Sequence, residues 1–325
     1  MLNTRILVAL LSIGLALGIQ TWARADEADS YPNHSIRLIV PYPPGGGGDS
    51  TARIIAPPLQ EALGQTVIID NRPGAGASIG TDLAAKAPPD GYTLLETPGA
   101  ALTVNPQLMK VGYNPTTDLV PITMLTRGVM IFCINNQVPA QNLQEFIAYV
   151  KANPGKLNYG SAGNGTITEL SWEMLKLATG MDITHVPYKG SGPAINDLLG
   201  GRVQGVVESM LAPYVKSGQM RALAVTGDQR WRGLPDVPTL KEAGVESVNP
   251  SVWFGVLAPK GTPPAIVAKL SAVLTKITLD PALGEKWDGI GMVPVALGPE
   301  AFGKVIREDI ETNKVLIEKA HITLD

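Results

Sequence analysis

Cysteine is almost missing: Cys133 is the single one in 325 residues. No intramolecular disulfide can form, so a buried apolar core must hold the chain together. Cys133 sits in the run Met130-Ile131-Phe132-Cys133-Ile134, where a small hydrophobe fits and a reactive thiolate does not. Histidine is nearly as scarce, and His34, His185 and His321 lack metal-ligand spacing. No serine occupies a G-x-S-x-G elbow. Acyl-transfer and metal chemistry thereby lose their usual parts, which argues against an enzyme and for no cofactor. Aromatic residues make up only 5%, and the formal net charge is −3. Such a chain offers neither stacking platforms nor a basic footprint, so nucleic acid is excluded as a partner.

Long apolar runs are missing too, once the N-terminus is set aside. Arg5 precedes an apolar run from Ile6 to Ile19, and Ala23-Arg24-Ala25 forms an A-x-A pattern before Asp26. That run is shorter than the roughly 20 residues needed to span a bilayer. It reads as a signal peptide over residues 1–25, cleaved after Ala25, which sends the mature chain to the periplasm. No cysteine at the junction marks a lipoprotein. Beyond it, 24 basic residues face 29 acidic ones, and no run of about 18 apolar residues follows.

Glycine and proline, in contrast, are plentiful, and they are concentrated at informative joints. Ile36 to Arg53 reads IRLIVPYPPGGGGDSTAR: an apolar β-branched strand, a tight loop, then a helix start. Glycines let backbone N–H groups turn toward a guest, and the helix N-terminus behind them favours negative charge. Leu157-Asn158-Tyr159 leads into a second such joint, Gly160-Ser161-Ala162-Gly163-Asn164-Gly165. There Thr166-Ile167-Thr168-Glu169 has the form of a capping box, with Thr166 accepting from the Glu169 N–H and the Glu169 carboxylate returning to the Thr166 N–H. The first joint lacks the GK[ST] ending of a P-loop. Gly74-Ala75-Gly76-Ala77-Ser78-Ile79-Gly80 has the wrong spacing for a dinucleotide fingerprint.

Short apolar strands alternate with helical stretches throughout, as in α/β folds with largely parallel sheets. Strands are expected at Ile36–Val40, Val67–Ile69, Thr93–Leu95, Met130–Ile134, Asn158–Tyr159, Thr184–Val186, Val203–Val207, Leu223–Val225 and Phe254–Ala258. Helices are expected at Ser50–Leu63, Ile79–Ala87, Leu143–Ala152, Thr166–Thr179, Ala194–Leu199, Pro264–Leu279 and Pro299–Lys319. Pro57-Pro58 should kink the first of these or split it after Ala56. Segments near Leu125–Val129 and Val245–Ser251 look like crossings between lobes. One lobe would then combine residues 26–128 and 250–325, and the other would span 129–249. Ligands in such folds sit between the lobes, at the carboxyl ends of strands.

Single residues stay open to two readings. Asp49 either caps the first helix or accepts from a ligand amine or hydroxyl. Tyr42 and Trp253 either line the cleft or belong to core and rim. Lys189 is either a solvated loop cation or meets the ligand's far end. Glu208 would repel an anionic guest unless it received an amino group or acted through its backbone.

These residues resemble the Bug-type extracytoplasmic solute receptors of tripartite tricarboxylate transporters. The likeness is carried by Ile36 to Gly46, Asp49, Leu63-Gly64-Gln65, Asn71 to Gly76, Pro89-Asp90-Gly91-Tyr92-Thr93-Leu94, Tyr159-Gly160-Ser161, Val186 to Gly190, Arg221 to Thr226 and Leu257-Ala258-Pro259. The resemblance implies a two-lobed periplasmic binding fold (type II-like), with two mixed sheets flanked by helices and a cleft between the lobes. It implies a monomeric receptor that holds a small carboxylate (a di- or tricarboxylate, an aromatic acid or an acidic amino acid) by backbone amides and hands it to a membrane transporter. By position, the contact residues it implies are Tyr42, Gly46, Gly47, Asp49, Ser161, Ala162, Thr166 and Glu208. A ligand-presenting sensor and an enzyme acting on a small acid are the rival readings. The segment Glu208 to Pro213 is shortened relative to the family form and borders the variable end of the ligand.

Overall fold

The β-branched run at Ile36–Val40 forms a strand with four of its five side chains fully buried, as expected for a parallel strand covered on both faces. The computed structural model describes residues 30–45, 47–188, 190–246, 248, 250, 252–320, 322 and 323; the leader expected at residues 1–25, Gly46, Lys189 and His321 lie outside them. The strands are β1 (Ile36–Val40), β2 (Val67–Asn71), β3 (Thr93–Pro98), β4 (Leu119–Gly128), β5 (Ile131–Ile134), β6 (Asn158–Ser161), β7 (Thr184–Pro187), β8 (Gly205–Glu208), β9 (Arg221–Val225), β10 (Val252–Pro259) and β11 (Met292–Leu297). The helices are α1 (Gly47–Leu63), α2 (Ser78–Ala85), α3 (Ala100–Thr103), α4 (Asn105–Leu108), α5 (Leu143–Ala152), α6 (Ile167–Thr179), α7 (Ser191–Leu199), α8 (Ala212–Lys216), α9 (Pro264–Thr278), α10 (Gly284–Gly289) and α11 (Pro299–Ala320).

Two mixed sheets result, in the order β11-β4-β10-β3-β1-β2 and β7-β6-β8-β5-β9. β1 runs parallel to β2 and β3, and β6 parallel to β7 and β8. The remaining pairings are antiparallel. The first sheet draws strands from both ends of the described chain and the second from its middle. Each sheet is packed on both faces, by separate apolar clusters. A smaller cluster joins Val104, Leu170, Leu316 and Ile322, so α11 packs against elements attached to both sheets. This is a two-lobed α/β fold of the periplasmic binding type, with the interlobe cleft backed by the last helix.

Two expectations need correcting. The split after Ala56 does not occur, and α1 runs unbroken through Pro57 and Pro58. Gly48, Ala52, Ile55, Ala56 and Leu59 are buried in one stripe, whereas Pro57 faces solvent and Pro58 is half-buried. Packing of the apolar stripe keeps the helix together, while most of the disturbance from missing N–H groups falls on the wet face. Strands β4 and β11 were not expected at all. β4 pairs with both β10 and β11 through register shifts, and both strands carry an interior proline, so neither shows a clean period of two.

The chain crosses from the first sheet to the second just after Gly128, which lies opposite Val252 at the return crossing. A Cβ on Gly128 would stand 2.3 Å from Val252 Cγ1 and 3.1 Å from Met292 Cε. Gly128→Ala is therefore expected to destabilise the fold by about 1–3 kcal/mol through overpacking. Adding Val252→Ala should restore part of the loss. Urea unfolding of both variants checks this, and a Gly128→Ala protein as stable as the parent would show the contact to be harmless.

Candidate functional site

The first joint is stapled from below. Asp49, in the first turn of α1, is only 2% exposed. Its Oδ2 accepts from the Gly45 N–H at 2.9 Å and from Arg53 Nε at 2.7 Å, and its Oδ1 from Asn71 Nδ2 at 3.1 Å. The same Asn71 Nδ2 donates to the Tyr42 carbonyl at 3.0 Å. Burial works against the Asp49 charge, but these donors outweigh it and hold the carboxyl below its usual range. Asp49 thus serves the loop: its carboxylate ties β1, β2 and α1 together and is not among the groups facing the cavity.

Beneath the same turn lies Glu96 of β3, which is fully buried. Among the described residues no hydrogen bond reaches either of its oxygens. A Cβ on Gly48 would come within 3.1 Å of Glu96 Oε2, and one on Gly47 within 2.9 Å of Phe254 Cζ. Glycine at these positions lets α1 begin this close to β3 and β10. Burial, with the Asp49 charge adding to it, pushes the Glu96 carboxyl well up, so the neutral acid is the favoured form. Burial also pushes the Tyr42 phenol up, and it remains a neutral hydroxyl.

The second joint differs from the expected capping box. Thr166 adopts the extended N-cap conformation, but its hydroxyl donates to the Gly163 carbonyl at 2.6 Å instead of accepting from the helix. Glu169 reaches one residue further back, accepting from the Gly165 N–H at 2.6 Å. Thr168 Oγ1 accepts from the Ala162 N–H at 2.8 Å. The glycines lengthen the loop enough for the cap to spread over it. His185 of β7 lies 2.6 Å from Ser161 Oγ through Nε2 and 3.1 Å from Glu169 Oε1 through Nδ1, and it stacks on Tyr159. Strand, loop and helix are locked by this chain of contacts.

Between the two joints lies a cavity of about 350 Å³, within the range of small-molecule sites. Tyr42, Gly47, Ala162, Thr166 and Glu208 line it. Ser161 does not; it is 1% exposed and borders a small recess shared with Ala162, Thr168 and Glu208. Trp253 also lines the cavity, although its ring is 1% exposed. The sequence reading missed the back wall, where α11 contributes Asp309, Thr312 and Asn313 and the α3–α4 segment contributes Thr103 and Val104. Nothing in the linear sequence links those segments; the only available signal was the polar face of an otherwise amphipathic last helix.

A first-turn amide of a helix has no partner inside it. Ile167 and Thr168 begin α6, Gly47 and Gly48 begin α1, and all four residues line the same cavity. The loop amides of Ala162, Gly163 and Gly165 are already engaged within the second joint. Chemically the arrangement suits an anion held at helix termini. Among the described residues no group of His, Cys, Asp and Glu forms a metal site.

Fold and cavity define a two-lobed binding protein of the periplasmic class. The model of the tripartite tricarboxylate transporter family receptors matches residues 51–322, and the chain belongs to that family. It is 39% identical over 303 residues to protein BugT of Bordetella pertussis, covering 92% of this chain and 93% of that one. A protein of R. palustris solved with adipate superposes with a TM-score of 0.81 at 34% identity, covering 90% of this chain and 99% of that one. MatC from Rhodopseudomonas palustris, with bound malate, gives a TM-score of 0.76 at 30% identity over 88% and 100%.

Glu96 generates a pH-dependent prediction. The fold favours its protonated form, so its stabilising share is complete below the ordinary carboxyl range near 4.5 and is lost as pH rises above it. Glu96→Gln keeps the shape without the proton to lose. It is expected to stabilise the protein by about 1–3 kcal/mol at neutral pH, with the gap closing in mild acid. Melting curves of both proteins across that range test it; a gap independent of pH would show that Glu96 ionises freely in the fold.

Proposed function

We propose that the chain is a periplasmic receptor that closes two lobes on a small carboxylate and delivers it to a membrane transporter. The observation that carries this reading is a single cavity reached by two helix N-termini, one attached to each sheet. The lobes would comprise residues 26–128 with 250–325, and 129–249, hinged where Gly128 faces Val252. Tyr42, Gly47, Ala162, Thr166 and Glu208 would meet the guest, and Gly46 would continue the first loop. Asp49 and Ser161 would act from behind by fixing the loops. The adipate and malate in the related structures support a carboxylate guest, and the family description supports delivery to a transporter. Among the described residues no helix is long and apolar enough to cross a membrane. Closure needs no chemistry, only tighter binding in the closed state.

One observation favours a second reading, hydrolysis. Ser161, His185 and Glu169 stand in the order of a nucleophile, base and orienting acid. Against it, Ser161 Oγ is buried, receives the Gly163 N–H at 3.1 Å and does not face the main cavity. Turnover of an activated ester that disappears in Ser161→Ala would establish the hydrolase.

The receptor reading is tested by a melting-temperature screen of small carboxylates, since a true guest in excess must stabilise the protein. The helix-terminus contact is tested by Ile167→Pro. Proline is tolerated at the first helical position and removes only the amide, and the extended Thr166 before it suits a following proline. With Ile167→Ala as the control for the lost side chain, Ile167→Pro should weaken carboxylate binding by about 1.5–3 kcal/mol, the range for a charge-assisted hydrogen bond. Equal affinities of the two variants in calorimetry would place the anion away from α6.

A further inference from the structure

Besides its amides, the cavity offers acidic side chains and no basic one among the described residues. None of the described residues that line it is lysine, arginine or histidine, whereas Glu208 and Asp309 both line it. The Glu208 carboxylate is already served, accepting from the Ser191 hydroxyl and from the Ser209 N–H at 3.0 Å. Asp309 is less satisfied: Trp253 Nε1 donates to its Oδ2 at 2.6 Å, and no second hydrogen bond from a described residue reaches it. Burial pushes both carboxyls up; the Trp253 bond and the nearby Arg127 charge offset part of this for Asp309. Arg127 lies outside the cavity lining, so its charge is not offered to a guest.

A guest with one carboxylate can be held by the two helix termini. A second carboxylate would enter a cavity that already holds two acids and no described cation, where like charges disfavour one another. A cationic nitrogen meets the opposite situation. It would pair with Asp309, beside Trp253 whose Nε1 already donates to that acid, and offset the burial of the carboxylate.

We infer that this cavity takes a carboxylate that also bears a cationic nitrogen, with Asp309 on the back wall as the residue that selects for it. The inference rests on the receptor reading and narrows its substrate class from carboxylates at large to amino-carboxylates.

The test is calorimetric titration, near neutral pH, of matched pairs that differ in one group: adipate against ε-aminocaproate, glutarate against δ-aminovalerate, and malate against aspartate. In at least one pair the nitrogen-bearing member should bind about tenfold tighter, or about 1.4 kcal/mol. Asp309→Asn retains an acceptor for Trp253 Nε1 and should remove most of that preference while leaving the ligand-free melting temperature near its parent value. Nitrogen-free members that bind as tightly as their partners in every pair, or a preference unchanged in Asp309→Asn, would overturn the inference. The wild-type ratio needs no variant, so the idea can be refuted even if Asp309→Asn does not fold. Binding of carboxylates without preference would sink this inference alone; a full carboxylate screen without any binding would sink the receptor reading with it.

Discussion

The first amides of an α-helix cannot bond within that helix, and how two helices satisfy theirs governs this protein. At α6 the side chains of Glu169, Thr168 and Ser161 take up amides of the loop just before the helix, at Gly165, Ala162 and Gly163. At α1 the Asp49 carboxylate does the same for Gly45. The first turns themselves line one cavity, through Gly47 and Gly48 for α1 and Ile167 and Thr168 for α6. The hydrogen-bonding side chains of the loops are consequently spent on support within them. That division explains why the most polar residues of both joints, Asp49 and Ser161, are also among the most buried.

Much of this was legible in the sequence because it is local. A β-branched run followed by prolines, four glycines and an acid can hardly be anything but a strand-to-helix joint, and Ile36–Val40 and Leu143–Ala152 begin and end where their residues say they should. β4 and β11 escaped because their pairing is non-local and irregular, and interior prolines hide the alternation. The break expected at Pro57-Pro58 failed for a related reason. Local propensity is a weak prior, and a stripe from Gly48 to Leu59 packed against a sheet overrides it. The capping box forms neither bond as expected: Thr166 turns to the Gly163 carbonyl, and Glu169 reaches back to Gly165 because a glycine-rich approach gives it a choice of amides.

The site was legible only in its front half. Glycine-rich joints announce themselves, but the back wall is assembled from α11, some 140 residues beyond the second joint in the chain. Asn313 Nδ2 donates to Thr103 Oγ1 at 3.0 Å, and Gln107 Nε2 to the Ile310 carbonyl at 2.9 Å. Those bonds fix α11 against the α3–α4 segment and thereby set which of its side chains meets the cavity. Asp309 is one turn from Asn313 on that face. No periodicity in a surface helix distinguishes an acid that faces water from one that faces a cleft.

The start of β10 joins these parts. Four successive residues there each meet a position where a side chain on one partner excludes any on the other. A Cβ on Gly128 would strike Val252, one on Gly99 would approach Trp253 Cε2 to 2.6 Å, and one on Gly47 would reach Phe254 Cζ at 2.9 Å. At Gly255 the roles reverse, with Phe302 of α11 2.4 Å from where a Cβ would stand. Val252 lies at the crossing between sheets, Trp253 holds Asp309, Phe254 lies under the start of α1, and Gly255 admits α11. Crossing, back wall and the start of α1 are therefore keyed to one short stretch of strand. A movement of the lobes about that crossing must reach both ends of the cavity together, because the same backbone supports them. The concentration of bulk on β10 and of glycine around it is the packing solution that makes such a shared support possible.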